Sequence, residues 1–320
     1  MTNIHDIARL SGYSVSTVSR VLNHQNYVSA KTRGDIEAVI NKLDYVPNAV
    51  ARNLSRGATL TIGVVLPHVD HPYFTQLLHG IMRAAFAANY HIVLLPSKWD
   101  SQLELKYLEA LRQHAYDALI FTSHGLPLKK LAVYQRYGRI VLCENPHDYS
   151  LPAAYAQRTA TYVEAFTYLK QRHHQRIAIL TSRPLEVSAT TQAMVGAYEQ
   201  VYQRTLSPKL LYTGIITAED GEHAGTYFAQ LTEPVTAVLT NGDDIAVGMR
   251  RAYLAAQRPV PLLIGQEHQL SGEVLGIPTI DHHFEVVGAR ALELAISEHP
   301  QSIALPAELI INNGSVKNLV

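Results

Sequence analysis

Within six consecutive positions the chain carries Val15, Ser16, Thr17, Ser19 and Arg20: a methyl-bearing side chain, three short hydroxyls and one guanidinium. That set suits the edges of base pairs and the phosphates beside them. An arginine can bond guanine through two donors, worth roughly 1 to 3 kcal/mol of discrimination, a valine methyl can meet thymine, and serine or threonine hydroxyls more often hold phosphates. Taken singly, each is an ordinary occupant of a solvated helix face. Their meaning depends on the elements that hold them.

Those elements follow from periodicity and capping. Asn3 can cap a first helix in which Ile4, Ile7 and Ala8 recur at helical spacing, and a turn follows at Gly12-Tyr13. Ser14 can cap a second helix. There Val18, Val21 and Leu22 share one face, and at 100° per residue the opposite face holds Ser16, Ser19 and Arg20, with Val15 at its edge and Thr17 flanking. Ser29 to Arg33 opens a third helix whose Ile36, Val39, Ile40 and Leu43 close a three-helix core. Such a helix-turn-helix places its second helix in the major groove. Beyond Pro47, Asn48 can cap a helix of about two turns ending near Gly57, too short to be stable alone in water. On it Arg52 and Arg56 offer charge to phosphates or the minor groove, and Leu54 is the residue type that wedges a base step open. Residues 1 to 57 hold seven Lys or Arg against four acids, although the whole chain is neutral, so positive charge gathers at the end expected to meet DNA.

The order of these segments carries a resemblance. Val15 to Asn23, Tyr27-Val28-Ser29 with Thr32-Arg33, and Tyr45-Val46-Pro47-Asn48-Ala49-Val50-Ala51-Arg52 with Leu54 closely resemble the LacI family of bacterial transcriptional regulators. The resemblance implies that Val15, Ser16 and Arg20 read bases, that Ala51 lies on the hinge helix, and that Leu54 is its intercalating leucine. The DNA-contacting set expected is Ile4, Ser14, Val15, Ser16, Thr17, Ser19, Arg20, Asn23, Tyr27, Ser29, Thr32, Asn48, Ala51, Arg52 and Leu54. It also implies a homodimer on near-palindromic operator DNA, as two-fold proteins read two half-sites.

With 320 residues, 47% of them apolar, the chain can bury more than one core. Cys143 is its one cysteine, so no internal disulfide can form, and its apolar strand context favours packing over nucleophilic chemistry. No apolar run approaches the roughly 20 residues that span a bilayer, and the first residues lack signal-peptide form, so a cytoplasmic protein without membrane partners is expected.

From Leu60 onward, short β-rich runs alternate with helical stretches: Thr61–Leu66, His91–Leu95, Ala118–Phe121 and Ile140–Cys143, then Ile177–Leu180, Leu210–Tyr212, Ala237–Leu239 and Leu262–Gly265. These predict two doubly wound, parallel α/β halves with a cleft at their strand ends, where the sequence carries His68, Ser97, Thr122-Ser123, Thr240-Asn241 and Gln266-Glu267. The layout resembles the type I periplasmic-binding-protein-like body of LacI-family regulators, in which the last helix, around residues 284–297, returns to the first half. The division expected is therefore a helix-turn-helix head over 1–46, a hinge helix and linker over 47–59, and a body over 60–320. Its halves comprise about 60–158 with 284–320, and about 159–283.

Phrases such as His71-Pro72-Tyr73-Phe74 and Val274-Leu275-Gly276-Ile277-Pro278 are similar to the catabolite-control branch of that family. That likeness implies control of carbon-use genes, with phosphorylated phosphocarrier protein HPr as a corepressor. The alternative is an operon-specific repressor induced by a sugar or phosphosugar. Departures bear on that choice. The family's usual sugar-binding arginine is absent from Ser188 to Met194, Gly242 replaces the usual asparagine before Asp243, and the usual Gly-aromatic-Asp-Asp loop reads Gly265-Gln266-Glu267-His268. A hydrogen-bonding set would have to be rebuilt from Glu267, Asp243 and Gln192, and the cleft candidates are His68, Asp70, Tyr73, Phe74, Ser97, Gln192, Asp243 and Glu267. Tyr73 and Phe74 suit either stacking on a ligand or covering the first half's core.

The sixteen histidines, including His173-His174 and His282-His283, show no zincin spacing, and no metal or cofactor is expected. Gly-x-Ser-x-Gly, phosphate-loop and Gly-x-Gly-x-x-Gly motifs are also missing, and Asp243-Asp244 suit a helix N-terminus better than paired acid–base work. An enzyme is not expected.

Overall fold

The computed structural model describes residues 3–46, 57–69, 71–299 and 301–311, in two units divided at Leu60. The first unit holds α1 (Ile4–Ser11), α2 (Val15–Leu22) and α3 (Ala30–Lys42). Local chemistry fixes each start. The Asn3 side chain accepts from the His5 and Asp6 amides while the Asn3 amide donates to the Asp6 carboxylate, closing a capping box. Ser14 and Ser29 accept from the Thr17 and Thr32 amides, caps worth about 1 kcal/mol each. Gly12 ends α1 at φ +75°, a left-handed conformation that glycine adopts without strain. Ile7, Val18, Val21 and Ile36 are buried at the centre.

The second unit opens with β1 (Thr61–Leu66), α4 (Pro72–Ala87), β2 (His91–Pro96), α5 (Ser101–Arg112), β3 (Ala118–Phe121), α6 (Leu128–Tyr134), β4 (Arg139–Leu142) and β5 (Ala153–Gln157). It continues with α7 (Thr159–Gln171), β6 (Ile177–Leu180), α8 (Ala189–Tyr202), β7 (Leu211–Tyr212), α9 (Ala218–Ala229), β8 (Ala237–Leu239), α10 (Asp243–Ala255), β9 (Leu262–Gln266), α11 (Leu270–Val274) and β10 (Thr279–Asp281). The last described elements are α12 (Phe284–Ile296), β11 (Ser302–Pro306) and β12 (Glu308–Ile310). Two sheets result, ordered β11-β5-β4-β3-β1-β2 and β12-β10-β9-β8-β6-β7.

Strand alternation divides the first lobe's apolar residues between two cores. Ile62, Val64, Leu66, Ala118, Ile120 and Val141 pack on one side, and Val65, Leu119, Phe121, Ile140 and Leu142 on the other. A parallel sheet covered on both faces requires this pattern. The helix α12 does return to the first lobe, where it lies against α4 so closely that a Cβ on Gly80 would strike the Glu285 carbonyl and one on Gly288 the Leu77 carbonyl.

The C-terminal strands differ from the sequence reading. Residues 284–320 were expected to belong wholly to the first half, but β11 joins the first sheet and β12 pairs antiparallel with β10 in the second. The chain thus passes between lobes near Arg158, near His283 and at Ala307. These strands, with β5 and β10, escaped sequence reading because they are short and lack strong apolar runs. Among the described residues no helix is long and apolar enough to cross a membrane.

Candidate functional site

In the first unit, the α2 surface opposite Val18 and Val21 presents Ser16 and Arg20 to solvent. The Ser14 hydroxyl lies 2.9 Å from both the Ser16 and Thr17 hydroxyls, so the start of α2 carries a cluster of orientable donors beside its free first-turn amides. The Asn23 side chain donates to the Ser19 carbonyl at 2.9 Å and closes the helix. Tyr27 is 92% exposed, and Ser29 and Thr32 share a 2.9 Å hydroxyl bond at the start of α3. Two expected contact residues, Ile4 and Val15, are half-buried. Ile4 and Val15 pack against the head's core, because each sits one helical turn from a buried apolar position and covers it. The candidates Asn48, Ala51, Arg52 and Leu54 lie outside the described residues, as does Asp70.

In the second unit, a cavity of about 670 Å³ opens between the lobes, in the size range of small-molecule clefts. It is built from strand ends and crossover segments. Of the expected residues, Tyr73, Phe74 and Glu267 line it. The other described candidates do not. His68 meets the edge of Trp99 at 4.9 Å, buried Ser97 accepts from the Trp99 amide, and the Gln192 side chain donates outside the cavity to the Leu185 carbonyl. Asp243 is fully buried at the start of α10, where its carboxylate accepts from the Thr279 hydroxyl and the Gln269 amide at 2.6 Å each. It fastens α10 to β10 and to the loop before α11. Burial raises its pKa to about 7.

His71, His282, Arg158 and Arg183, which sequence reading did not place in the cleft, join Asn241, Gln266 and Glu267 to define its chemistry. His71 caps α4 by accepting from the Tyr73 amide through Nδ1, and that nitrogen lies 3.6 Å from Glu267 Oε1. Burial pulls His71 down to about 4 and pushes Glu267 well above the usual carboxylate range, helped by Asp243 nearby. Both shifts favour the uncharged forms, so burial works against an ion pair at this contact.

Around Gln266 the protons can be assigned. Its amide nitrogen donates to the Thr240 carbonyl, so its oxygen accepts from the Tyr162 hydroxyl at 3.0 Å and from His282 Nε2–H at 2.9 Å. His282 is buried and held neutral, chiefly by burial and by the Arg158 charge. Its Nδ1 is therefore a bare acceptor, and it has no partner. Glu267 Oε2 and Asn241 Oδ1 are likewise buried without partners, the Asn241 amide nitrogen being committed to the Ile215 carbonyl at 2.9 Å. Unmade bonds of this kind cost about 1 to 3 kcal/mol each unless something enters to make them.

Two arginines complete the wall. Arg158 donates to the Thr190 hydroxyl at 2.8 Å and lies 5.2 Å from the ring centres of Tyr73 and Phe284; Arg183 lies 4.8 Å over Trp99. Glu144 accepts from Ser123 and approaches His124 at 3.3 Å. Cys143 packs beneath the cavity, its thiol pushed up by burial. The paired histidines diverge: while His282 faces the cleft, the His283 ring sits between Asp281 at 3.1 Å and Glu308 at 3.4 Å. The ligand atoms of those three residues lie within 4.8 Å of one another.

Comparison with known proteins agrees with both units. Residues 3–48 match the model for bacterial regulatory proteins of the lacI family, and residues 59–312 that for periplasmic binding proteins and the sugar-binding domain of the LacI family. Catabolite control protein B of Bacillus subtilis (strain 168) is 38% identical over 95% of this chain and 97% of its own length. The ribose operon repressor of Escherichia coli (strain K12) is 30% identical, over 82% of this chain and 80% of its own. The crystal structure of the lac repressor dimer bound to operator and the anti-inducer ONPF superposes with a TM-score of 0.79, covering 97% of each chain at 21% identity.

Proposed function

This chain belongs to the LacI family of bacterial regulatory proteins, and from that premise we propose that it is a homodimeric repressor of carbon-source utilisation genes, acting in the cytoplasm and tuned by a small ligand in the interlobe cleft. It is a DNA-binding transcriptional regulator rather than an enzyme. The observation that carries the reading is α2, whose inward face is fully committed to the head's core while Ser16 and Arg20 stand exposed at the surface. Arg20 reads a guanine in each half-site. Ser16, Thr17 and the capped start of α2, with Tyr27, Ser29 and Thr32 near the start of α3, hold the flanking phosphates. The hinge candidates Asn48, Ala51, Arg52 and Leu54 pair across the dimer, and Leu54 wedges the central minor-groove step.

Dimerisation has support in the first lobe, where α4 and the edge strand β2 expose Met82, Phe86, Val93 and Leu94, with Phe86 87% exposed. An edge strand flanked by large apolar side chains is a pairing surface unless it is covered. Of the two signals raised by the sequence, phosphorylated HPr and a small ligand, the open cleft with its unpartnered polar atoms favours the ligand. A ligand acts by its difference in affinity between lobe arrangements that do and do not let the hinges pair.

Selection of binding sites from a random duplex pool tests the reading. A palindromic consensus is expected, bound with a steep salt dependence and shifted by metabolites that bind the cleft. Recovery of no consensus at moderate salt, with or without such metabolites, would remove it.

A further inference from the structure

The cleft's unmet hydrogen-bonding groups specify more than its size. On one side are acceptors with nothing to accept from: His282 Nδ1, forced by the tautomer that Gln266 imposes, and Asn241 Oδ1, left over when its nitrogen bonds Ile215. Glu267 Oε2 is a third unpartnered oxygen, an acceptor when ionised and a donor when it carries the carboxyl proton, and the three side chains are 1%, 9% and 4% exposed in the order His282, Asn241, Glu267. A ligand that offers several hydroxyl donors satisfies such a set, and water or an apolar molecule does so less well.

The other side is rich in donors and positive. Arg158 is bonded to Thr190 and Arg183 is tied to Thr191 through its carbonyl at 2.9 Å, so both arginines are fastened to the first turn of α8. Neither guanidinium forms an ion pair among the described residues; they lie against the rings of Tyr73, Phe284 and Trp99, and Arg158 also reaches the Tyr73 and Tyr162 hydroxyls. Ser188 caps α8 by accepting from the Thr191 amide, leaving the Ala189 and Thr190 amides without a partner in the helix, and all three residues line the cavity. The opposing charge on this wall is Glu144, already engaged by Ser123 and His124. Both guanidiniums belong to residues that line the cavity with the start of α8, and Glu144, the lining carboxylate that faces both, is already engaged, which leaves a place for one anion.

We propose that the cleft selects a small polyhydroxylated ligand bearing an anionic group, carboxylate or phosphate, with the anion at the first turn of α8 between Arg158 and Arg183 and the hydroxyls on His282, Asn241 and Glu267. This rests on the cleft being the effector site. It also accounts for the missing arginine between Ser188 and Met194: positive charge reaches the same helix start from Arg158 in the crossover and Arg183 in the preceding loop.

Calorimetric titration of the full chain tests it with hexoses and pentoses, their phosphates and uronic acids, and inorganic phosphate alone. The best anionic sugar should bind at least about tenfold tighter than its neutral parent, the difference expected for one charge-assisted contact. Whether phosphates or uronic acids win identifies the anion. Arg183→Gln should bring the anionic sugar down to the parent's affinity and leave the parent within about twofold, whereas Asn241→Ala should weaken both alike. Equal binding of neutral and anionic sugars, equal losses for both in Arg183→Gln, or no binding by any member would overturn the proposal. Operator affinity measured in parallel separates the two readings. An anionic sugar that binds as described without changing operator affinity defeats the cleft's regulatory role and leaves its ligand chemistry standing, while a neutral sugar that binds best and shifts operator affinity does the reverse.

Discussion

Replacing Asp243 with asparagine should change how stability depends on pH, because the native carboxyl titrates near 7 instead of its ordinary 3.8. The sign follows from proton binding. With its native pKa raised, the folded chain holds this proton more tightly than the unfolded chain between about pH 4 and pH 7. Stability supplied by Asp243 is therefore complete below pH 4, falls across that window, and is flat above it. A shift of roughly three units corresponds to about 4 kcal/mol at most, and relaxation around the charge brings the expected loss to about 2 to 4 kcal/mol. The Asp243→Asn side chain would keep the geometry: its oxygen can take the Gln269 amide while its nitrogen donates to the Thr279 hydroxyl, which turns to accept.

The whole-chain curve cannot isolate this effect. His71, with its native pKa lowered to about 4, and His282, also lowered by burial, gain stability as pH rises over the same range. The difference between wild type and Asp243→Asn cancels those histidines. Glu267, whose own pKa Asp243 helps to raise, adds to the difference in the same direction. Urea unfolding followed by circular dichroism from pH 4 to 8 should show the variant gaining on wild type as pH rises. A difference flat with pH, or one that favours wild type at pH 8 over pH 4, would refute the assignment of a buried, proton-holding carboxyl.

Three further outcomes are expected. Arg20→Ala should relax preference at one base pair per half-site, costing roughly 1 to 3 kcal/mol on the preferred operator and little on a site already altered there, as measured by competition binding. Phe86→Asp should weaken the dimer by about ten- to a hundredfold in sedimentation, given roughly 1.5 to 3 kcal/mol for burying such a side chain, and an unchanged dissociation constant would place the interface elsewhere. Gly288→Ala should destabilise the body by about 1 to 3 kcal/mol because its Cβ meets the Leu77 backbone, whereas Gly196→Ala, with open space around a helical position, should stabilise it by roughly 0.5 to 1 kcal/mol; melting curves distinguish them.

What the sequence made legible followed from local rules. Caps at Asn3, Ser14 and Ser29, together with the spacing of Ile7, Val18, Val21 and Ile36, suffice for the head. The buried strands β1, β3, β4, β6, β8 and β9 stand out as short apolar runs, and the strand-end rule located Ser123, Asn241 and Gln266 on the cleft. The rest of the cleft was hidden because its chemistry is assembled from distant segments. His71 meets Asn241 across 170 positions, and Arg158 belongs to a crossover whose role appears only once both sheets exist. His282 was one of sixteen histidines with no spacing to single it out, and Asp243 looked like a ligand contact because nothing in its neighbours revealed that Thr279 and Gln269 would enclose it.

Trp99 has a consequence of its own. As the sole indole in 320 residues, it is set edge-on to His68 on one side and capped by the Arg183 guanidinium on the other, with its ring nitrogen donating to Ser123 at 3.0 Å. A molecule that lifts Arg183 away changes the polarity and quenching around the only strong fluorophore present. The chain therefore carries its own optical gauge of cleft occupancy, and emission colour and intensity can follow engagement in real time without any attached dye.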